Sequence, residues 1–184
     1  MLHTQGFNPH PKLSLPLPRS VGIETDGDLF CLWVEGFCDD RPQVFDTEEF
    51  KRDMSVHLPQ GCDLISVIAV KPGASIQPIE ASYVFAVKRQ YIGYELTERV
   101  RSILSSEKLI MKRQIDRNGR NHSVDVRGFI KSVDIAGSNV AVRCRISPAG
   151  SIRVDEIFKL LELDVSKLTL PVRRNDIKWS ETWQ

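Results

Sequence analysis

The sequence has 184 residues, of which 41% are hydrophobic, and a formal net charge of +1. This length allows one large domain or two small domains with hydrophobic cores. No apolar run approaches the roughly 18 to 20 residues that a membrane span needs, so the composition excludes a membrane-spanning helix. The start, residues 1–4, has neither the basic region nor the apolar core of a signal peptide, which predicts a cytoplasmic protein.

The small net charge hides an uneven distribution. Residues 1–75 carry 6 Lys/Arg and 11 Asp/Glu, a net of −5, whereas residues 76–184 carry 19 and 13, a net of +6. This predicts two domains, 1–75 and 76–184, divided near Ser75, of which the second is better suited to nucleic acid. The alternative is that the positive charge of the second half is an ordinary solvated surface.

In the first half, short strands are expected around one helix. The strands are expected at residues 13–17, 21–24, 29–35 and 63–70. Asp46 is predicted to be the N-cap of the helix, with Glu49 three residues later as in a capping box. Phe45 and Phe50 stand at the positions of a hydrophobic staple, and Pro59 ends the helical pattern.

The second half shows two helical patterns and more strands. The helices are marked by Leu96, Val100, Ile103 and Leu104 and by Val154, Ile157, Phe158 and Leu161. The strands are expected at residues 83–88, 109–115, 123–127, 132–135, 139–146 and 168–173. Asn118-Gly119 and Gly137-Ser138 are typical hairpin turns, and residues 178–184 are expected to form a tail.

This order predicts an α+β fold of two ferredoxin-like units, with antiparallel sheets and helices on one face. The first unit, 1–75, lacks the opening strand and helix of that plan. It should therefore expose an apolar sheet face or an unpaired edge, which predicts a homodimer that covers it.

The opening run GFNPHPKLS, residues 6–14, is the least generic stretch. Its two prolines favour extended backbone, in which alternate side chains point the same way. Asn8, His10 and Lys12 would then share one side and suit an anion such as phosphate. His10 is a weak catalytic candidate, as a general acid or base, or a platform for a nucleic-acid base. The plainer alternative is a loop histidine with no such role.

A basic patch follows in the second half. Its cations are Lys108, Lys112, Arg113, Arg117, Arg120, Arg127 and Lys131. On the strand at 139–146, Arg143 and Arg145 share one face, which suits phosphate contact. The alternative is a solvated face or a set of salt bridges. The four cysteines form no CxxC pair and the histidines show no ligand spacing with them, so neither a metal site nor a cofactor is expected.

Several motifs together resemble the radical SAM-linked protein family, a bacterial domain of unknown function. They are QGFNPHPKLS at 5–14, LP at 17–18, VGIE at 21–24, LPQG at 58–61, VDVR at 124–127 and SIR at 151–153. Members of that family occur beside radical SAM enzymes or fused to them. They carry a further upstream helix before the opening motif, and a proline where Val154 stands here.

The resemblance implies a radical SAM enzyme as partner and a role in RNA modification. It adds Arg127 and Arg153 as candidate contacts, and it implies no catalytic residue. We therefore interpret the chain as a non-catalytic accessory RNA-binding module. Two alternatives stay open: a protein-interaction subunit that docks on a radical SAM enzyme without touching nucleic acid, and a small RNA-processing enzyme that uses His10.

Overall fold

The computed structural model describes residues 2–5, 7–34, 45–70, 73–114 and 121–180. The fold is α+β, with mostly antiparallel sheets. The described residues contain nine strands and three α-helices: β1 (Leu13–Ser14), β2 (Ile23–Thr25), β3 (Cys31–Leu32), α1 (Thr47–Ser55), β4 (Pro78–Ala86), α2 (Tyr94–Ser105), β5 (Ile110–Gln114), β6 (Asn121–Asp125), β7 (Ile130–Ala136), β8 (Asn139–Arg145), α3 (Val154–Leu161) and β9 (Val172–Trp179).

The chain divides into two compact units. Unit 1 takes residues 1–18, 29–77 and 180–184, and unit 2 takes residues 19–28 and 78–179. Unit 2 therefore includes a stretch that lies in the first half of the sequence. The division near Ser75 stays a prediction about domains, because grouping by contacts does not test independent folding.

In unit 1, β1 and β3 form a two-stranded antiparallel sheet. The pairing continues beyond the strands, because the Trp33 N–H donates to the Lys12 carbonyl at 3.1 Å. The helix α1 begins as the sequence predicts. The Asp46 carboxylate accepts hydrogen bonds from the N–H groups of Glu48 and Glu49 at 3.0 and 2.9 Å. The rings of Phe45 and Phe50 have centroids 5.3 Å apart, which confirms the hydrophobic staple.

The strand predicted at 63–70 is wrong, since this stretch has no regular structure. Ile65 and Ile68 leave 64% and 59% of their surface exposed, and the Ile65 carbonyl accepts a hydrogen bond from Lys51 Nζ at 2.7 Å. The apolar pattern suits a strand, but a strand also needs a neighbour to pair with. None of the strands in the described part of the chain pairs with 63–70. The sheet of unit 1 is thus smaller than the sequence predicts.

Unit 2 contains a five-stranded sheet with the order β2-β9-β4-β8-β7. All neighbours are antiparallel except β2 and β9, which are parallel. A separate hairpin, β5–β6, stands between α2 and β7 and confirms the predicted pairing of these strands. Its predicted turn at Asn118-Gly119 lies outside the described residues. The second predicted hairpin is present as β7–β8, with Gly137 at φ 59° in its turn.

The helices α2 and α3 pack on one face of this sheet. The buried side chains that they share with it include Phe85, Leu96, Val100, Ile103, Val140, Val142, Cys144, Ile157 and Leu161. Phe85 meets Phe158 of α3 edge to face, with ring centroids 5.1 Å apart. The opposite face of the sheet, called here the open face, carries no helix among the described residues of unit 2 and exposes the polar side of β8.

The last strand starts later than predicted. We expect a strand at 168–173, but β9 runs from Val172 to Trp179. Pro171 has no N–H to donate to a ladder, so regular pairing begins after it. Asp176 has φ 48° and lies between the pairs Ser82↔Asn175 and Glu80↔Lys178, where β9 has one extra residue. This bulge brings Lys178 opposite Glu80.

Candidate functional site

The opening segment of unit 1 folds back on itself. The Thr4 N–H donates to the His10 carbonyl at 2.8 Å, and the His10 N–H donates to Thr4 Oγ1 at 3.1 Å. The side chains of Asn8 and His10 are exposed. Lys12 Nζ lies 5.2 Å from the centroid of the Trp33 ring, a cation–π contact. The segment therefore presents an amide and an imidazole to solvent, while Lys12 contacts its own unit.

Arg113 lies on β5 and is held by α3. Its Nε and Nη2 donate to the two carboxylate oxygens of Glu156 at 2.7 and 2.8 Å, and Nη2 also donates to the Ser151 carbonyl at 2.7 Å. The side chains of Arg113 and Glu156 are only 15% and 3% exposed. This geometry is a bidentate, nearly buried ion pair that fastens the hairpin to the start of α3.

The Glu156 carboxylate also accepts a hydrogen bond from the Arg153 N–H at 2.8 Å. This bond satisfies a backbone donor at the start of α3 that has no partner within the helix. Burial alone would raise the pKa of Glu156, but hydrogen bonds from Arg113 and from the Arg153 N–H outweigh it. The pKa of Glu156 therefore lies below its ordinary value. The side chain of Arg153 itself is exposed.

Arg127 binds main-chain carbonyls at the end of α2. Its Nε donates to Ser106 at 3.0 Å, Nη1 to Ile130 at 3.0 Å and Nη2 to Leu104 at 2.8 Å. The last carbonyls of a helix have no partner inside the helix, and a cation placed there also opposes the negative end of the helix dipole. Arg127 is thus a cap on α2.

Lys112 points away from Arg113 across the hairpin. It is exposed and lies opposite Ser123 of β6. Neighbouring residues of a strand point to opposite faces, so Lys112 stands on the outer side of the hairpin, away from α3.

Arg143 and Arg145 occupy the open face of β8. Val142 and Cys144, which alternate with them, are buried against the helices. Both arginines are exposed, and their guanidinium groups form no hydrogen bond or ion pair with the residues that the structure describes. Their guanidinium donors are therefore available to a ligand.

Several charged residues surround Glu80 on the open face. Glu80 of β4 stands opposite Arg145 of β8 on one side and Lys178 of β9 on the other. Its carboxylate contacts Lys131 of β7 and lies 3.3 Å from Lys178 Nζ. The hydrogen bond from Lys131, opposed by burial and aided by Lys178, holds the pKa of Glu80 below its ordinary value. Glu80 therefore stays ionised near neutral pH between two ammonium groups.

Charge is balanced differently at the β2 edge of the sheet. Arg173 of β9 lies 3.2 Å from Glu24 and 3.4 Å from Asp26. Two carboxylates thus neutralise this arginine. Positive charge on the open face is concentrated over β7, β8 and the far end of β9.

Comparison with known families now adds one observation. The model of a family described as "Uncharacterized protein conserved in bacteria (DUF2344)" matches residues 1–155.

The chain belongs to this family. No curated protein and no solved structure matches this chain. The DUF2344 match contains the opening segment and β4, β7 and β8, with Glu80, Arg143 and Arg145. It ends before β9, so Lys178 lies outside it.

The sequence-predicted residues of this DUF2344 protein thus separate into three kinds. Arg113 and Arg127 are held inside unit 2, Arg143 and Arg145 come together on the open face, and Asn8, His10 and Lys12 belong to unit 1. Lys112 and Arg153 belong to none of these kinds, because they are exposed elsewhere on unit 2. Lys178 was missed as a site residue because it lies in the predicted tail. Only the strand register places it beside Glu80.

No helix in the described part of the chain has the length and apolar composition of a membrane span. The residues described by the structure also contain no group of three or more His, Cys, Asp or Glu arranged to hold a metal ion. Cys31, Cys62 and Cys144 are free thiols, and burial raises the pKa of Cys144 to about 12.

Proposed function

We propose that this DUF2344 protein is an accessory RNA-binding module that works in the cytoplasm with a radical SAM enzyme in RNA modification. The observation that carries the RNA part is the pair Arg143 and Arg145, exposed on one face of β8 with unengaged guanidinium groups. Arginine donors in this arrangement suit the oxygens of a phosphate backbone. The radical SAM partner rests on the resemblance of the opening motif.

A fold inference supports the same proposal. We infer that unit 2 is a ferredoxin-like unit, with β4, β7, β8 and β9 as its four core strands and β5–β6 as an insertion. The order β9-β4-β8-β7, the antiparallel pairing and the two helices on one face support it. In such a unit, β8 is a central strand, and its open face is a platform wide enough for a single strand of RNA.

The open face offers phosphate contacts rather than base stacking. On β4, β7 and β8 the residues of this face are Glu80, Ser82, Val84, Lys131, Ser132, Asp134, Ala136, Asn139, Ala141, Arg143 and Arg145. None of them is aromatic, so these strands supply no ring on which a base could stack. We therefore expect binding with little sequence preference and a clear dependence on salt.

The test is fluorescence anisotropy of a labelled single-stranded RNA with the full chain and with the double variant R143A/R145A. The matched control is R99A/R101A, which removes the same charge from exposed arginines of α2 that are paired with Glu162 and Glu98. We expect R143A/R145A to weaken binding by about tenfold or more at low salt.

The salt dependence gives a second readout. Loss of two phosphate contacts should make the slope of log affinity against log salt shallower by about 1.4. Equal affinity for R143A/R145A and R99A/R101A, or no binding by the unaltered chain at low salt, would exclude RNA binding at this face.

A second function is favoured by unit 1. Ile65 and Ile68 expose large apolar surfaces in a stretch that pairs with no strand of the described residues. Such a stretch suits a protein interface, either with a radical SAM enzyme or in a homodimer. If that is the function, I65S/I68S should abolish capture of the enzyme or dissociate a dimer in size-exclusion chromatography, and RNA affinity should not change. The third alternative, catalysis by His10, has an exposed imidazole as its support and predicts that H10A abolishes RNA turnover.

A further inference from the structure

We propose that Lys131 and Lys178 join the two arginines in binding the phosphate backbone of RNA on the open face, and that Glu80 between them weakens this binding. This inference rests on the proposed RNA-binding function and specifies the residues that contact the ligand. The row, called the cationic row below, consists of Lys131, Arg143, Arg145 and Lys178.

The strand register determines where these cations lie on the sheet. Arg145 and Lys178 stand directly opposite Glu80 on its two neighbouring strands. Lys131 is the extra residue of a bulge in β7, beside the Ser132↔Arg143 pair, and its ammonium reaches Glu80 across β8. Lys131, Arg145 and Lys178 therefore lie across the strand direction on β7, β8 and β9, with Glu80 of β4 between the last two. Arg143 lies two residues from Arg145 along β8.

The two lysines converge on one carboxylate. Lys131 on β7 and Lys178 on β9 lie on strands that are three strand spacings, or about 14 Å, apart, yet both ammonium groups reach Glu80 on β4. The row therefore gathers its positive charge around Glu80, beside Arg145, and a nucleic-acid backbone on the open face meets several cations there.

Glu80 has an opposing influence in this row. Its side chain is 14% exposed, and it keeps the ammonium groups of Lys131 and Lys178 near the sheet without any ligand. Each ammonium has three donors, so contact with Glu80 leaves donors for a phosphate oxygen. The carboxylate itself repels phosphate. Removal of its charge should therefore tighten RNA binding, whereas removal of either lysine should weaken it.

The experiment measures RNA affinity of the full chain at several salt concentrations for K131A, K178A and E80Q. The control for the lysines is K159A, since Lys159 is an exposed lysine of α3 that pairs with Asp155 at 3.4 Å. The control for the carboxylate is E162Q, since Glu162 pairs with Arg99 away from the row. Urea unfolding of each variant verifies that it is folded.

We expect K131A and K178A each to make the salt slope shallower by about 0.7, and E80Q to tighten binding severalfold at low salt. If K131A and K178A behave like K159A and E80Q like E162Q, the row is wrong.

Failure of the row is distinguishable from failure of the proposed function. If R143A/R145A weakens RNA binding but the lysine variants do not, RNA binds at β8 without following the row. If none of these variants differs from its control, both the proposed function and the row are wrong.

Discussion

The hairpin β5–β6 and the strand β8 both carry arginines that the sequence marks as candidates for phosphate contact, yet their surroundings differ. On the hairpin, Arg113 is 15% exposed and holds Glu156 with two hydrogen bonds. On β8, Arg143 and Arg145 are exposed with unengaged donors. The role of an arginine therefore depends on whether its five donors are already bound.

The largest effect is expected at the hairpin. R113A would leave the nearly buried Glu156 carboxylate without its cation. Breaking a buried pair from one side destabilises proteins by about 3 to 5 kcal/mol. Urea unfolding should show a loss of this order in the free energy of unfolding. A loss no larger than that of R143A, the same change on β8, would remove the distinction between the two regions.

A smaller loss is expected for Arg127. R127A would free the Leu104 and Ser106 carbonyls at the end of α2. Hydrogen bonds from a charged group contribute about 1.5 to 3 kcal/mol, and water can replace part of them at a helix end. We expect a loss of about 2 kcal/mol in urea unfolding, with faster amide exchange in the last turn of α2. Unchanged exchange there would contradict the capping role.

The pH dependence should remove only part of the contribution of the Arg113–Glu156 pair. Because the pKa of Glu156 is lowered in the folded state, the stability it provides is present above its unfolded pKa of about 4.3. That stability is lost as the pH falls through the lower folded pKa. The difference in unfolding free energy between the unaltered chain and E156Q should therefore be constant near neutral pH and shrink below about pH 4. A difference that stays constant on acidification would contradict this assignment.

The smallest effect is expected on β8. R143A and R145A remove exposed side chains that have no partner among the described residues. Surface changes of this kind usually alter stability by less than about 0.5 kcal/mol. Thermal unfolding should therefore be nearly unchanged while RNA affinity falls. A large loss of stability would show that these arginines have a structural role, as Arg113 has.

The sequence predicts features whose interacting residues lie close together in the chain. The start of α1 was predictable because Asp46, its two N–H donors and the Phe45–Phe50 staple lie within five residues of one another. The alternation of Arg143 and Arg145 with buried neighbours was predictable for the same reason, since it needs only the period of a strand.

Partners far apart in the chain were not predictable. Arg113 and Glu156 are 43 residues apart, and Lys131 and Glu80 are 51 apart, so no local pattern indicates that they meet. The strand at 63–70 was predicted wrongly because its apolar residues fit a strand, while the presence of a pairing partner is a property of the whole fold.

The parallel pairing of β2 with β9 has a consequence for the time course of folding. Glu24 and Arg173 are 149 residues apart, so β2 emerges from the ribosome long before the strand with which it pairs. At about 5 to 20 residues per second, the delay is about 7 to 30 s. During that interval the buried cation of this edge, Arg174, and its partner Asp28 are not both available. Because β9 lies between β2 and the other strands, the sheet of unit 2 can be completed only after the last strand has been synthesised.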